Sequence, residues 1–197
     1  MQSIIKERSP VTFPRFIGER VYMRPFFQSE DLPSDLLRWQ LTVDAMLDGV
    51  ATDGPIYLMI DQGAVGAGIP HRRPGVHIDG YWEPNAKGDW NDQGGRWNDI
   101  GAHSIPGEHI AEGSLMEEAI LLASTVAGCQ GYVGSWHGLV GKGGDCSHID
   151  LTGLTKVKFK PNQCYAGNVT ALHESLPVPH DCLRTLVRLN VPGHVVR

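Results

Sequence analysis

"HESLPVPHDCLRTLVRLNVP", residues 173–192, opens on a histidine, passes two prolines and ends in an apolar stretch that carries two arginines. Read as a strand, this stretch points successive side chains to opposite faces. Arg184, Leu186, Arg188 and Asn190 then share one face, and Leu183, Thr185, Val187 and Leu189 the other. If the first face turns inward, a guanidinium is buried, and a buried guanidinium requires an anion. The rest of the chain has to supply the sheet around this strand and the anion.

With 197 residues, 41% hydrophobic and 20% charged, the chain fits one globular domain with a real core. No apolar run approaches the ~20 residues of a membrane span, and "MQSIIKERSPVTF" at the start is too polar for a signal peptide. A cytoplasmic protein with no membrane partner is expected. The net charge of −5 argues against a nucleic-acid backbone as main partner. The basic clusters "HRR" (71–73) and "KVKFK" (156–160) read as solvated surface. Cys129, Cys146, Cys164 and Cys182 form no C-x-x-C pair, so free thiols are expected. Nothing in the sequence sets the oligomeric state.

Glycine (24) and proline (13) punctuate short apolar runs that read as strands: 20–26, 55–61, 75–82, 131–138, 155–160, 167–174 and 183–191. "EAILLAST" at 118–125 suits a strand or a short buried helix equally. One amphipathic helix is expected in "SEDLPSDLLRWQLTVDAMLDG". Ser29 or Ser34 would cap it, Leu36, Leu37, Leu41 and Met46 would form its apolar stripe, and Gly49 would end it. The pattern predicts a mainly β fold, an antiparallel sandwich with one or two N-terminal helices packed outside. Residues 1–54 would support a core of 55–192. Residues 83–115, rich in Gly, Asn and Asp, would form a lid-like insertion.

"GVHIDGYW" places His77 and Asp79 two apart, hence on one strand face, with Tyr81 and Trp82 just beyond. An imidazole and a carboxylate side by side can fill adjacent positions around a metal. A second histidine from a neighbouring strand would complete the two-His, one-carboxylate facial triad of non-haem Fe(II) oxygenases. The triplet recurs as His148-Ile149-Asp150, so the bare pattern decides nothing. Separation favours the first: 173 − 77 = 96 residues leave room for several strands and an insertion, whereas 173 − 148 = 25 hold two or three.

Residues 55–192, with His77-Ile-Asp79, then His173 and then the arginine strand, resemble the 2-oxoglutarate/Fe(II)-dependent oxygenases, whose core is a double-stranded β-helix or jelly roll. In that family an H-x-D/E lies on the second core strand and a distal histidine near the end of the seventh. A basic residue on the eighth binds the far carboxylate of 2-oxoglutarate. The resemblance implies His77, Asp79 and His173 as catalytic Fe(II) ligands. Arg184, eleven residues past His173, or Arg188, fifteen past it, would bind the cosubstrate. Many members carry Ser or Thr two residues after the arginine, where this chain has Leu186.

The implied activity is hydroxylation of an unactivated C–H in a small-molecule or peptide substrate, with release of succinate and CO₂. Tyr81 and Trp82 would form part of a substrate wall. Two alternatives share the sandwich: a cupin-like metalloenzyme that does not use 2-oxoglutarate, and a non-catalytic jelly-roll binding or virion-associated module.

Overall fold

The computed structural model describes residues 1–79, 118–141 and 144–197. The expected insertion 83–115, Tyr81 and Trp82 lie outside the described residues. Among the described residues, ten strands follow in chain order. The first five are β1 (Gln2–Ser3), β2 (Ile5–Pro10), β3 (Arg20–Phe26), β4 (Ile56–Val65) and β5 (Glu118–Ser124). The others are β6 (Cys129–Ser135), β7 (Thr155–Lys158), β8 (Gln163–Asn168), β9 (Leu172–Ser175) and β10 (Cys182–Pro192). Among the described residues one α-helix, α1 (Gln40–Leu47), follows a 3-10 turn at Leu37–Trp39. Among the described residues, no helix is long and apolar enough to cross a membrane.

The strands form two antiparallel sheets. The larger has the order β2-β8-β5-β10-β4-β3 and holds the arginine strand near its centre. There β10 pairs with β4 on one edge and β5 on the other, which settles "EAILLAST" as a strand: β5 pairs with β8 as well. In the smaller sheet Gln130–Tyr132 of β6 pair with both β7 and β9, so those two strands flank it. The 75–79 segment, expected as a strand, extends this sheet by single bridges: His77 pairs with His173 of β9 on one side and Asp145 on the other.

Both faces of β10 are buried, each differently. Val187, Leu189 and Val191 pack with Ile56, Leu58 and Ile60 of β4 and with Trp39, Val43 and Met46 from the helical region. Burying each such side chain contributes about 1.5–3 kcal/mol, so this layer clamps α1 to the outside of the large sheet. The opposite face, with Arg184, Leu186 and Arg188, looks across to the smaller sheet. The arginine face is therefore the interior of the sandwich.

Three expectations need correction. The helix is shorter than predicted and neither Ser29 nor Ser34 caps it; Trp39 stands at the N-cap and makes no side-chain capping bond. Its buried side is Trp39, Val43, Met46 and Leu47 together with Leu36, a period-3.6 set. Leu37 and Leu41 are 48% and 77% exposed. The indole of Trp39, the largest group available, decides which face turns inward, and its Nε1 donates to Glu19. Gly49 does end the helix, at φ +69°.

Second, the strand expected at 167–174 is two strands. Ala171 N–H donates to Asn168 C=O, and the Asn168 amide ties the turn to Ile4, Gln2 and Thr170. Third, β2 was not expected: its Lys6, Glu7 and Arg8 suit a solvated sheet edge, where charge discourages further pairing.

Candidate metal centre

His77 and His173 face each other across an antiparallel bridge. His77 N–H donates to His173 C=O at 2.9 Å, and His173 N–H donates to His77 C=O at 3.0 Å. Residues directly opposite in such a pair present their side chains on the same face. The two imidazoles accordingly lie with centroids 4.4 Å apart, tilted by 55°. Asp79, two residues on, returns to that face, and its Oδ2 lies 3.5 Å from His173 Nε2. One ligand atom from each residue falls within 4.8 Å of the others, and among the described residues this is the three-residue group able to hold a metal. Small side-chain rotations close that spacing around an ion with bonds of ~2.1 Å.

Both rings are set by the same device. His77 Nδ1 lies 2.8 Å from Gly75 C=O, and His173 Nδ1 lies 3.0 Å from Ala171 C=O. A carbonyl accepts only from N–H, so Nδ1 carries the proton in each neutral ring and Nε2 keeps its lone pair for a metal. Gly144 makes the approach of the ligand segment possible. It holds φ +82°, its C=O accepts from Ile78 N–H, and a Cβ there would lie 2.3 Å from Ile78 C=O.

The electrostatics suit a cation. Burial, then the neighbouring His173, pushes the His77 imidazole down to about 4, so it is neutral at pH 7. Burial pushes the Asp79 carboxyl up, but the Arg188 guanidinium beside it, with His173 and His77, more than offsets this. Together they hold it well below the usual carboxylate range. The result is a neutral His77 imidazole beside an ionised Asp79 carboxylate, the protonation states that metal ligation needs of those two groups.

The two arginines differ in what they touch. Arg188 Nη1 lies 3.1 Å from Asp79 Oδ1, its Nη2 lies 3.5 Å from Met23 Sδ, and its Nε is buried without a partner. Arg184 is wholly buried. Its Nε donates to Ser124 Oγ at 2.9 Å, its Nη2 lies 3.2 Å from Cys129 Sγ, and its Nη1 has no partner. Among the described residues no carboxylate pairs with Arg184. Arg188 thus has its anion in Asp79, and Arg184 is a buried cation without one among the described residues.

Two spaces meet at the triad. A polar cleft with about 740 Å³ of empty space is lined by His77, Asp79, His173, Arg188, Arg72, Arg73, Cys129 and Ser175, among others. The cleft wall at Cys129 is the thiol that touches Arg184. A smaller apolar pocket of about 390 Å³ reaches Asp79 and His173 from the side of β5 and β8.

Arg72 and Arg73, read from the sequence as plain surface, therefore stand at the cleft, and Arg72 pairs with Asp61 at 3.0 Å. The usable signal was position: they immediately precede the segment that carries His77. The second triplet is elsewhere. His148 Nε2 bonds Leu139 C=O and Asp150 caps Thr152 N–H, both in an exposed turn. All four cysteines are free, and all but Cys182 are buried. The chain matches no protein-family model, no curated protein and no solved structure, so the centre is read from its own geometry.

Proposed function

We propose that the protein is an Fe(II)- and 2-oxoglutarate-dependent oxygenase built on a jelly roll. The supporting strand order is specific. Taken along the chain, β4, the 75–79 segment, β5, β6, β7, β8, β9 and β10 are eight core strands. In the large sheet the first, eighth, third and sixth are neighbours in that order. In the small sheet the second, seventh, fourth and fifth are neighbours. Chain alternation of this kind between two sheets supports the jelly-roll reading. In that reading the H-x-D lies on the second strand, the distal histidine on the seventh and the arginines on the eighth, which agrees with what the resemblance in sequence implies.

The observation that carries the reading is the opposed histidine pair with Asp79, at a cleft lined by Cys129, whose thiol touches the buried Arg184 guanidinium, a group with no carboxylate partner among the described residues. The residues fit Fe(II), because two imidazoles and one carboxylate leave three positions open. Fe(II), 2-oxoglutarate and O₂ together supply the oxidising power to hydroxylate an unactivated C–H, releasing succinate and CO₂. His77, Asp79 and His173 hold the metal through Nε2 and carboxylate oxygens. Arg188 keeps Asp79 ionised and oriented. Arg184 takes the far carboxylate of the cosubstrate where the Cys129 thiol now touches it, and Arg72 and Arg73 make the cleft mouth attractive to a dianion.

The test is O₂-dependent conversion of 2-oxoglutarate to succinate by the Fe(II)-loaded protein. Arg184→Ala should raise the KM for 2-oxoglutarate by about 10–100-fold, the worth of a charge-assisted bond, with iron affinity unchanged. Absence of succinate above a protein-free control would overturn the assignment. An unchanged KM in Arg184→Ala, with a raised one in Arg188→Ala, would move the cosubstrate role to Arg188.

A further inference from the structure

The apolar pocket differs in chemistry from the cleft on the other side of the triad. Ile5, Ile120, Leu122, Phe159, Tyr165 and Ala171 supply most of its wall, and Asp79 and His173 form its inner end. Its two other polar liners have their capacity spent elsewhere. Tyr165 Oη accepts from Lys160 N–H and donates to Glu7, and Phe159 stacks on the ring at 4.2 Å. The Asn168 amide accepts from Ile4 N–H and donates to Gln2 C=O and Thr170 Oγ1. His173 Nδ1 is bound to Ala171 C=O. Among the described lining residues, only the two metal ligands have a polar atom left to offer.

Along the rest of the wall, away from the two metal ligands, a charged or hydrogen-bonding group would lose its hydration and gain nothing in return, at a cost of several kcal/mol. An alkyl or aryl group would exchange water for carbon and gain about 25 cal/mol per Å² buried. The cleft, with its three arginines, has the opposite preference and suits the dianionic cosubstrate.

We infer that the apolar pocket walled by β5 and β8 receives the reacting end of the substrate, and that this end is an uncharged alkyl or aryl group of a small molecule. The inference rests on the proposed metal centre and adds the chemical class of what it acts on. Gly167 helps to keep the space open: a Cβ there would lie 3.0 Å from Ala171 Cβ.

The test compares toluene with benzylamine, which has a similar shape but is a cation at pH 7. In metal-free protein carrying labelled Ile and Leu methyls, toluene should shift the Ile5, Ile120 and Leu122 signals saturably, and benzylamine should not. In Mn(II)-loaded protein the toluene protons should relax faster than in a Zn(II)-loaded control. Ile120→Trp should weaken toluene binding by about tenfold or more by filling the space. Leu122→Phe serves the same purpose if that variant does not fold. Equal shifts from both probes, or none from toluene, would overturn the inference. Methyl shifts without Mn(II)-induced relaxation, while electron paramagnetic resonance shows the metal bound, would overturn the claim that the pocket leads to the metal. Failure of Mn(II) to bind would instead count against the metal centre itself.

Discussion

His173→Ala should weaken Fe(II) or Mn(II) binding by more than about 100-fold and leave the fold in place. Loss of a group that merely orients a ligand typically costs 10–100-fold in metal affinity, and here a ligand itself is removed. The β9 bridge does not depend on the imidazole, because both of its bonds are made by backbone groups. Only 19% of the His173 side chain is exposed, and what it faces is the cleft and the apolar pocket, so its removal opens space next to existing space. His77→Ala should behave alike, since the two rings are held by equivalent Nδ1 bonds. Mn(II) titration followed by electron paramagnetic resonance measures the effect directly. Unchanged affinity in both variants would remove the pair from the metal site.

Arg188→Ala should act on stability first. Asp79 is a mostly buried carboxylate whose counter-ion is this guanidinium, 3.1 Å away. Removing one partner of a buried pair leaves the other charge uncompensated, at a cost of about 3–5 kcal/mol. For a chain of this size that lowers Tm by roughly 6–20 °C, at 2–4 °C per kcal/mol. A divalent ion at the triad supplies the missing positive charge, so Mn(II) should restore part of the loss in Arg188→Ala.

The pH dependence in the presence of a chelator has a definite sign. In the wild-type chain the folded-state value of Asp79 is depressed. Its contribution is present above the unfolded value of about 3.9 and fades as pH falls through the lower folded value. Without Arg188, burial is the largest influence left and pushes the carboxyl up, so the variant gains relative stability as the group protonates. The gap between the two proteins should therefore narrow below about pH 4. Thermal scans at pH 7 and pH 3.5 read both effects, and a constant gap would assign Arg188 a packing role only.

Much of the frame could be read from alternation. β10 was legible because polar and apolar residues take turns along it, and β3 because Pro and Gly bound a β-rich run. The same alternation put Arg184 and Arg188 on one face and left open whether that face turned inward. What escaped depends on partners rather than on local pattern. β2 carries three consecutive charged residues and becomes a strand only because β8 offers it an edge. The turn after Asn168 has neither Gly nor Pro; the asparagine amide does that work through contacts more than 160 residues away in the chain.

The same division holds at the site. His77, Asp79 and His173 could be chosen by spacing and resemblance. The two Nδ1 locks, the Arg188–Asp79 pair and the placement of Arg72 and Arg73 could not, because each depends on which strands become neighbours. The apolar pocket was equally hidden. Its wall draws on β2, β5, β8 and the turn between β8 and β9, none of which is adjacent in sequence to the H-x-D segment.

The most direct measurement is an anaerobic titration of the protein with Fe(II) in the presence of 2-oxoglutarate, followed in the visible range. The geometry predicts a weak charge-transfer band that saturates at one iron per chain, and predicts that it is absent from His173→Ala. Iron that binds without producing the band on addition of the diacid would contradict the cosubstrate assignment. No stoichiometric binding of iron would contradict the metal centre as a whole.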